Sequence, residues 1–241
     1  MLSNDEPDAA IEQYDQALSI ADTLEDSHAQ IAALTSLLRA HIAGGRQSMA
    51  QLYGDQAIRI ARENDEALAE INAINLLSDF LLKAGHAARA LGYARRGIEI
   101  AIAKEDWSWQ LTLLTHIGAA HLAQQQWGDA LDHLNEALTL AEQLQDEPAQ
   151  AYLYGRIGVA LAESDRHQLA INATESALTL AGRLGDTRLL GEQQIMLAFL
   201  WRDSGDREKA QSLCRQAIAT FEKRGDEPML TNARALLAEL E

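Results

Sequence analysis

One register governs this chain. Ala137-Leu138, inside the stretch GDALDHLNEALTLAEQLQD, is echoed at Ala17-Leu18, Ala57-Ile58, Gly97-Ile98, Ala177-Leu178 and Ala217-Ile218, always forty residues apart and without a gap. Ala10, Ala50, Ala90, Ala130, Ala170 and Ala210 form a second column in the same register. Leu37, Leu77, Ile117, Ile157, Leu197 and Leu237 form a third. A period of this length marks one supersecondary unit that buries its apolar face only against copies of itself. The chain is therefore predicted to be a single elongated array over 1–241, with no linker and no second domain.

The unit is helical. Ala and Leu dominate and aromatics are only 5%, a composition that favours close-packed helices over sheets. Ile11, Tyr14, Leu18 and Ala21 recur at helical spacing. Small residues seven apart share one helix face and let a partner helix approach closely. A column of acids, Asp26, Glu66, Asp106, Asp146, Asp186 and Asp226, opens one helix of each pair and can cap it. Pro148 and Pro228 follow two residues later, and Asp5-Glu6-Pro7 opens the first helix, all within first turns that need no proline N–H. Gly45, Gly85 and Gly205 mark turns within pairs. The plan is about twelve helices: an unpaired helix at 6–24, hairpins at 27–64, 67–104, 107–144, 147–184 and 187–224, and a capping helix at 227–240.

Ile117-Gly118 with His121, then Ala130, Leu134 and Ala137, forms a recurring pattern. Ile157-Gly158 with Leu161, Ala170 and Ala177 repeats it, as does Leu197-Ala198 with Trp201, Ala210 and Ala217. This resembles the tetratricopeptide repeat over nearly the whole chain. The usual period of that family is 34 residues. Here six more add roughly 9 Å of helix, at about 1.5 Å per residue. The family's closing proline is absent, its column reading Asp22, Arg62, Ile102, Glu142, Gly182 and Glu222. The sequence resembles the lengthened variant found in bacterial signalling regulators, kinesin light chains and cell-polarity scaffolds. HEAT and armadillo repeats also have periods near forty, but the paired small columns favour the tetratricopeptide reading. The resemblance implies an all-α, right-handed superhelical solenoid of antiparallel hairpins, with the first helix of each pair lining a concave groove.

Carried onto this sequence, that groove presents Asn72, Asn75, Asp79, Thr112, Thr115 and His116 early, and Tyr152, Arg156, Val159 and Phe199 later. Asn amides both donate to and accept from a peptide backbone, and Arg156 could grip a carboxylate in two places. Tyr152 and Phe199 could receive apolar side chains. A carboxylate clamp of the chaperone-tail type does not fit, because Asp79 and Tyr152 stand where it needs Asn and Lys. Trp107 and Trp109 have no counterparts in the other copies and sit at the groove edge, where large aromatics are candidate hot spots. The resemblance thus implies a non-catalytic protein–protein interaction scaffold that holds a partner peptide or helix. The alternative is a ligand-sensing regulatory module of a larger signalling or transcription-control system.

A net charge of −16 repels phosphate backbones, which argues against direct nucleic-acid binding. No His, Cys or carboxylate set has metal-ligand spacing, no phosphate loop or nucleophile elbow is present, and neither cofactor nor enzymatic activity is expected. Cys214 is the single cysteine and falls among inward positions. There is no leader pattern and no membrane-length apolar run, so a cytoplasmic location is expected. The first helix carries Ala10, Tyr14 and Ala17, a packing face with no preceding helix to cover it. That edge is predicted to meet an upstream segment or another chain, a second copy included, or else to tolerate exposure because alanine is small. The acidic residues around it, Asp5, Glu6, Asp8, Glu12 and Asp15, are read as a solvated end or a docking surface for a basic partner.

Overall fold

The computed structural model describes the backbone of residues 5–241 and the side chains of residues 10–241. The side chains of Asp5, Glu6, Pro7 and Asp8 lie outside that range, and with them the proposed acidic first turn. Among the described residues the chain is all-α, with twelve helices. It divides into two compact units, Met1–Ala123 and Gln124–Glu241. The first holds α1 (Asp5–Thr23), α2 (Ser27–Ala43), α3 (Gln47–Glu63), α4 (Ala67–Lys83), α5 (Ala87–Ala103) and α6 (Trp107–Ala123). The second holds α7 (Trp127–Gln143), α8 (Glu147–Ala162), α9 (His167–Leu184), α10 (Thr187–Asp203), α11 (Arg207–Arg224) and α12 (Glu227–Glu239).

A single turn design repeats every twenty residues and generates the period of forty. The last residue before each cap is left-handed: Glu25, Gly45, Asp65, Gly85, Glu105, Gln125, Gln145, Asp165, Gly185, Gly205 and Gly225 all have positive φ. The next N–H reaches back five residues, as in Asp26 to the Ala21 carbonyl at 3.0 Å and Asp146 to Ala141 at 2.9 Å, closing a Schellman turn. The following acid then caps. Asp26, Asp106, Asp146, Asp186 and Asp226 each accept the N–H three residues on, at 3.0 to 3.4 Å. Glu66 departs from the expected capping role. Its side chain is one methylene longer, and its Oε2 lies 3.1 Å from His28 Nδ1 instead.

Inside each unit, sequential helices pack as antiparallel neighbours. The even-numbered helices also touch one another, α2 with α4, α4 with α6 and α8 with α10, so they form the tighter inner layer. The outer layer of the first unit is tied by phenols. Tyr53 donates to Asp15 at 3.3 Å and Tyr93 to Asp55 at 2.5 Å. Burial and that hydrogen bond push the Tyr93 hydroxyl up to about 12.

The alanine columns are where the helices meet. Ala50, Ala57, Ala90, Ala130, Ala137, Ala170, Ala177, Ala210 and Ala217 are wholly buried. Their neighbours are matched in size. A Cβ at Gly54 would stand 2.6 Å from Leu77, and one at Gly191 would stand 2.5 Å from the Phe221 ring, so each glycine makes room for the large side chain opposite. Cys214 is buried in the last hairpin, and burial raises its thiol pKa. Trp201 packs in the same cluster, with Lys209 Nζ 3.8 Å above its ring. Arg207 and Gln211 donate to the Leu240 carbonyl, which closes α12 onto α11. No helix among the described residues is long and apolar enough to cross a membrane.

Candidate functional site

The inner layer of the second unit is hollowed, and the cause is visible in the repeat columns. One column reads Ile31, Ile71, Leu111 and then Ala151; the column one turn on reads Thr35, Asn75, Thr115 and then Gly155. Two adjacent turns of α8 thus carry reduced side chains, both buried. Beside Gly155 lies a cavity of about 250 Å³, lined among others by Tyr152, Arg156, Val159, Gln193, Met196 and Phe199. Beside Ala151 lies a second, of about 400 Å³, walled by Pro148, Leu184 and Arg188 and sharing Tyr152, Arg156, Leu189 and Glu192 with the first. The four later groove residues expected from sequence, Tyr152, Arg156, Val159 and Phe199, thus surround one concavity.

The electrostatics of this hollow are specific. The Arg156 guanidinium stacks 4.8 Å from the centre of the Tyr152 ring, which fixes its position without neutralising it. Arg156 makes no ion pair among the described residues. Its neighbours are engaged: Arg188 bonds Glu192 at 2.9 Å and Arg183 meets Glu147 at 2.9 Å. Arg202 stacks on Phe199 at 4.9 Å and pairs with Asp203 at 2.9 Å. Gln193 is 7% exposed, and its Oε1 has no hydrogen-bond partner. Its amide lies against Gly155, 3.0 to 3.2 Å from where a Cβ would be.

The earlier groove residues lie on α4 and α6 and answer largely to their own helices. Thr112 donates to the Ser108 carbonyl at 3.0 Å and Thr115 to that of Leu111 at 2.8 Å. Asp79 is bridged by Lys83 at 2.6 Å, one turn on. His116 is half-buried with its Nδ1 shut away from water. Burial lowers its pKa, with the Asp79 carboxylate pulling the other way. Asn72 and Asn75 stand half-buried on α4. The two edge tryptophans separate: Trp107 is 54% exposed at the start of α6, whereas Trp109 packs on the buried core of the first unit.

Gln193 and Leu189 were not among the expected site residues. The signal that could have found them is the pair of small residues at 151 and 155, read against their columns. At the other end of the array, the expected edge of α1 is open. Ala17 is exposed where its counterparts are wholly buried, and Ile20 and Leu24 are 62% and 70% exposed. No group of three or more His, Cys, Asp or Glu among the described residues could hold a metal ion.

Residues 109–183 match the family model of the tetratricopeptide repeat. No curated protein is similar to the chain in sequence. Several solved structures share its fold. BtubC (BKLC) from P. vanneervenii superposes with a TM-score of 0.79 at 18% identity, over 91% of this chain and 92% of that one. A signal-transduction ATPase with a tetratricopeptide-repeat sensor, from Pyrococcus horikoshii, gives a TM-score of 0.81 at 16% identity over 95% of this chain. The chain spans 36% of the length of that ATPase. A Rap protein complexed with Competence and Sporulation Factor gives 0.64 at 14% identity, over 96% of this chain and 70% of that one. At these identities the likeness carries the fold: an all-α solenoid of antiparallel helix hairpins.

Proposed function

We propose that the chain, whose residues 109–183 match the tetratricopeptide-repeat family model, is a non-catalytic protein–protein interaction scaffold that receives a partner segment on its inner helices. The observation that carries this reading is the convergence of Tyr152, Arg156, Val159 and Phe199 on one concavity. These side chains combine an uncommitted cation with exposed aromatic surface, the residue types that anchor partners at interfaces. A Rap protein of the same fold occurs in complex with Competence and Sporulation Factor, which supports the idea that such an array accommodates a second molecule.

The test is affinity capture from the source lysate, quantified by mass spectrometry, with wild type beside a triple variant in which Asp79 is reversed to Lys and Tyr152 and Arg156 are cut to Ala. All three side chains are at least partly exposed, so the variant should fold. The specifically retained proteins should fall at least about tenfold, the equivalent of roughly 1.4 kcal/mol. Retention equal to wild type removes the inner face from consideration.

A further inference from the structure

The hollow between α8 and α10 carries a mark that an ordinary polar surface does not. Gln193 is buried, and its Oε1 accepts from nothing. The same column elsewhere reads Ala33, Ala73, Leu113 and Leu153, all buried and all apolar. An apolar residue therefore suits this place in the fold. A buried acceptor without a donor costs the desolvation of that group and returns nothing. A position that breaks the local rule at such a cost, inside a cavity, is where a ligand would supply the missing partner.

Three further observations restrict the ligand. Arg156 is positioned by Tyr152 and carries no counter-ion, while Glu192, which lines both cavities with it, is occupied by Arg188. The missing charge is therefore negative. A single uncommitted cation in a chain of net charge −16 does not suit a polyphosphate backbone, whereas one guanidinium matches one carboxylate in charge and shape. Val159, Met196 and Phe199 line the same cavity and offer apolar surface. The two cavities share four residues along α8 and α10, so a chain lying in one continues into the other. That geometry suits an internal segment rather than a chain end.

We propose that this hollow binds an extended internal segment of a partner polypeptide in which one acidic side chain is flanked by aliphatic ones. The Gln193 amide turns towards the cavity so that its Oε1 accepts from a main-chain N–H of the segment, the carboxylate pairs with Arg156, and the aliphatic groups lie on Val159, Met196 and Phe199. This rests on the reading of the inner face as the partner site.

A display library of random dodecapeptides, selected on the full chain, provides the probe. Enriched peptides are labelled with fluorescein and titrated by polarisation against wild type, Arg156→Gln, Gln193→Leu and the pair Tyr152→Ala/Phe199→Ala. Enrichment of Asp or Glu beside aliphatic residues is expected, with Kd rising about tenfold or more in both single variants. Gln193→Leu should melt at or above the wild-type temperature, because it restores the residue type of positions 113 and 153. A lower melting temperature for that variant overturns the inference, since the amide would then have a structural partner. So does a selection that enriches nothing, or peptides with no acidic bias. Peptides weakened by the double variant but indifferent to Arg156→Gln and Gln193→Leu sink this inference and leave the inner-face reading standing. Peptides indifferent to all the variants sink both.

Discussion

The inner faces of the two units have the same ancestry in the repeat and opposite characters. On α4 and α6 the polar groups are largely spent internally: two threonines on their own helices, Asp79 on Lys83, and His116 turned from water. On α8 and α10 Arg156 and Gln193 Oε1 are left over, although Arg188 and Glu192 pair along α10, and beneath them the helix surface is cut away at Ala151 and Gly155. The difference teaches that residue type alone does not mark a binding surface. A threonine or aspartate at a groove position is as often a helix satisfying itself as a site awaiting a partner. What separates the two faces is missing volume and missing partners.

The largest test of this contrast concerns how the second unit pays for its small residues. In the first unit, Ile71 and Ala101 belong to one buried cluster, large on the inner helix and small on the outer. Thirty residues apart in the same way, Gly191 and Phe221 reverse the sizes. Gly191→Ile alone drives a branched side chain into the Phe221 ring and should cost about 3 kcal/mol. Phe221→Ala alone leaves a cavity and should cost about 3–5 kcal/mol. The double variant, which restores the arrangement of the first unit, should recover to within about 1 kcal/mol of wild type. Urea unfolding of the four proteins measures the coupling; additive losses would mean that the two positions are not a size-matched pair.

That pair also shows what could be read from sequence. Helix positions, turn spacing and the wholly buried alanine columns followed from the period of forty, because packing between copies repeats what is local. The capping acids were legible for the same reason, apart from Glu66, whose longer side chain prefers His28. The site was legible in part. Register alone brought Tyr152, Arg156, Val159 and Phe199 to one helix layer, and they line the candidate concavity. Gln193 could have been noticed as the polar residue in a column that otherwise reads Ala33, Ala73, Leu113 and Leu153; what the sequence does not show is that its Oε1 is buried without a partner. The oppositely charged partners available to Asp79 and Arg156 also depend on which side chains share a turn, and this decided that one is bridged and the other is not. Trp109 looked like its neighbour Trp107 in sequence, yet two residues along a helix turn one ring into the core and leave the other outside.

A smaller effect is expected where the units use different chemistry at one position. Gln150 donates to the Ala141 carbonyl at 3.0 Å, and Gln110 likewise to Ala101 at 3.3 Å. Glu70 occupies the same column in α4 and cannot donate. Its buried Oε1 instead accepts from Arg62 at 3.1 Å and Arg96 at 2.8 Å, joining α3, α4 and α5. Removing one member of a fully buried pair costs about 3–5 kcal/mol, but both arginines here are half-exposed and can return to water. Glu70→Ala should therefore lose about 1–2 kcal/mol. Glu70→Gln, which restores the amide of the other copies, should stay within about 1 kcal/mol of wild type. Thermal unfolding separates the two, and equal losses would show that the carboxylate, rather than the filled space and a polar contact, holds the three helices.

The smallest effect probes the inward turn of His116. Burial holds its pKa below the usual imidazole value, Asp79 opposes this and Lys83 adds to it. The unfolded chain therefore binds a proton more readily at this residue than the folded chain does. Its contribution to stability is intact above the unfolded value of 6.5 and is lost as pH falls from there towards the folded value. Melting temperatures at pH 7.5 and 5.5 should thus fall further in wild type than in His116→Asn, with every other titrating group common to both proteins. Equal falls would mean that the ring takes its proton in place, in reach of Asp79. The first unit's inner face would then carry a titratable cation of its own, and its contrast with Arg156 would shrink to one of pH.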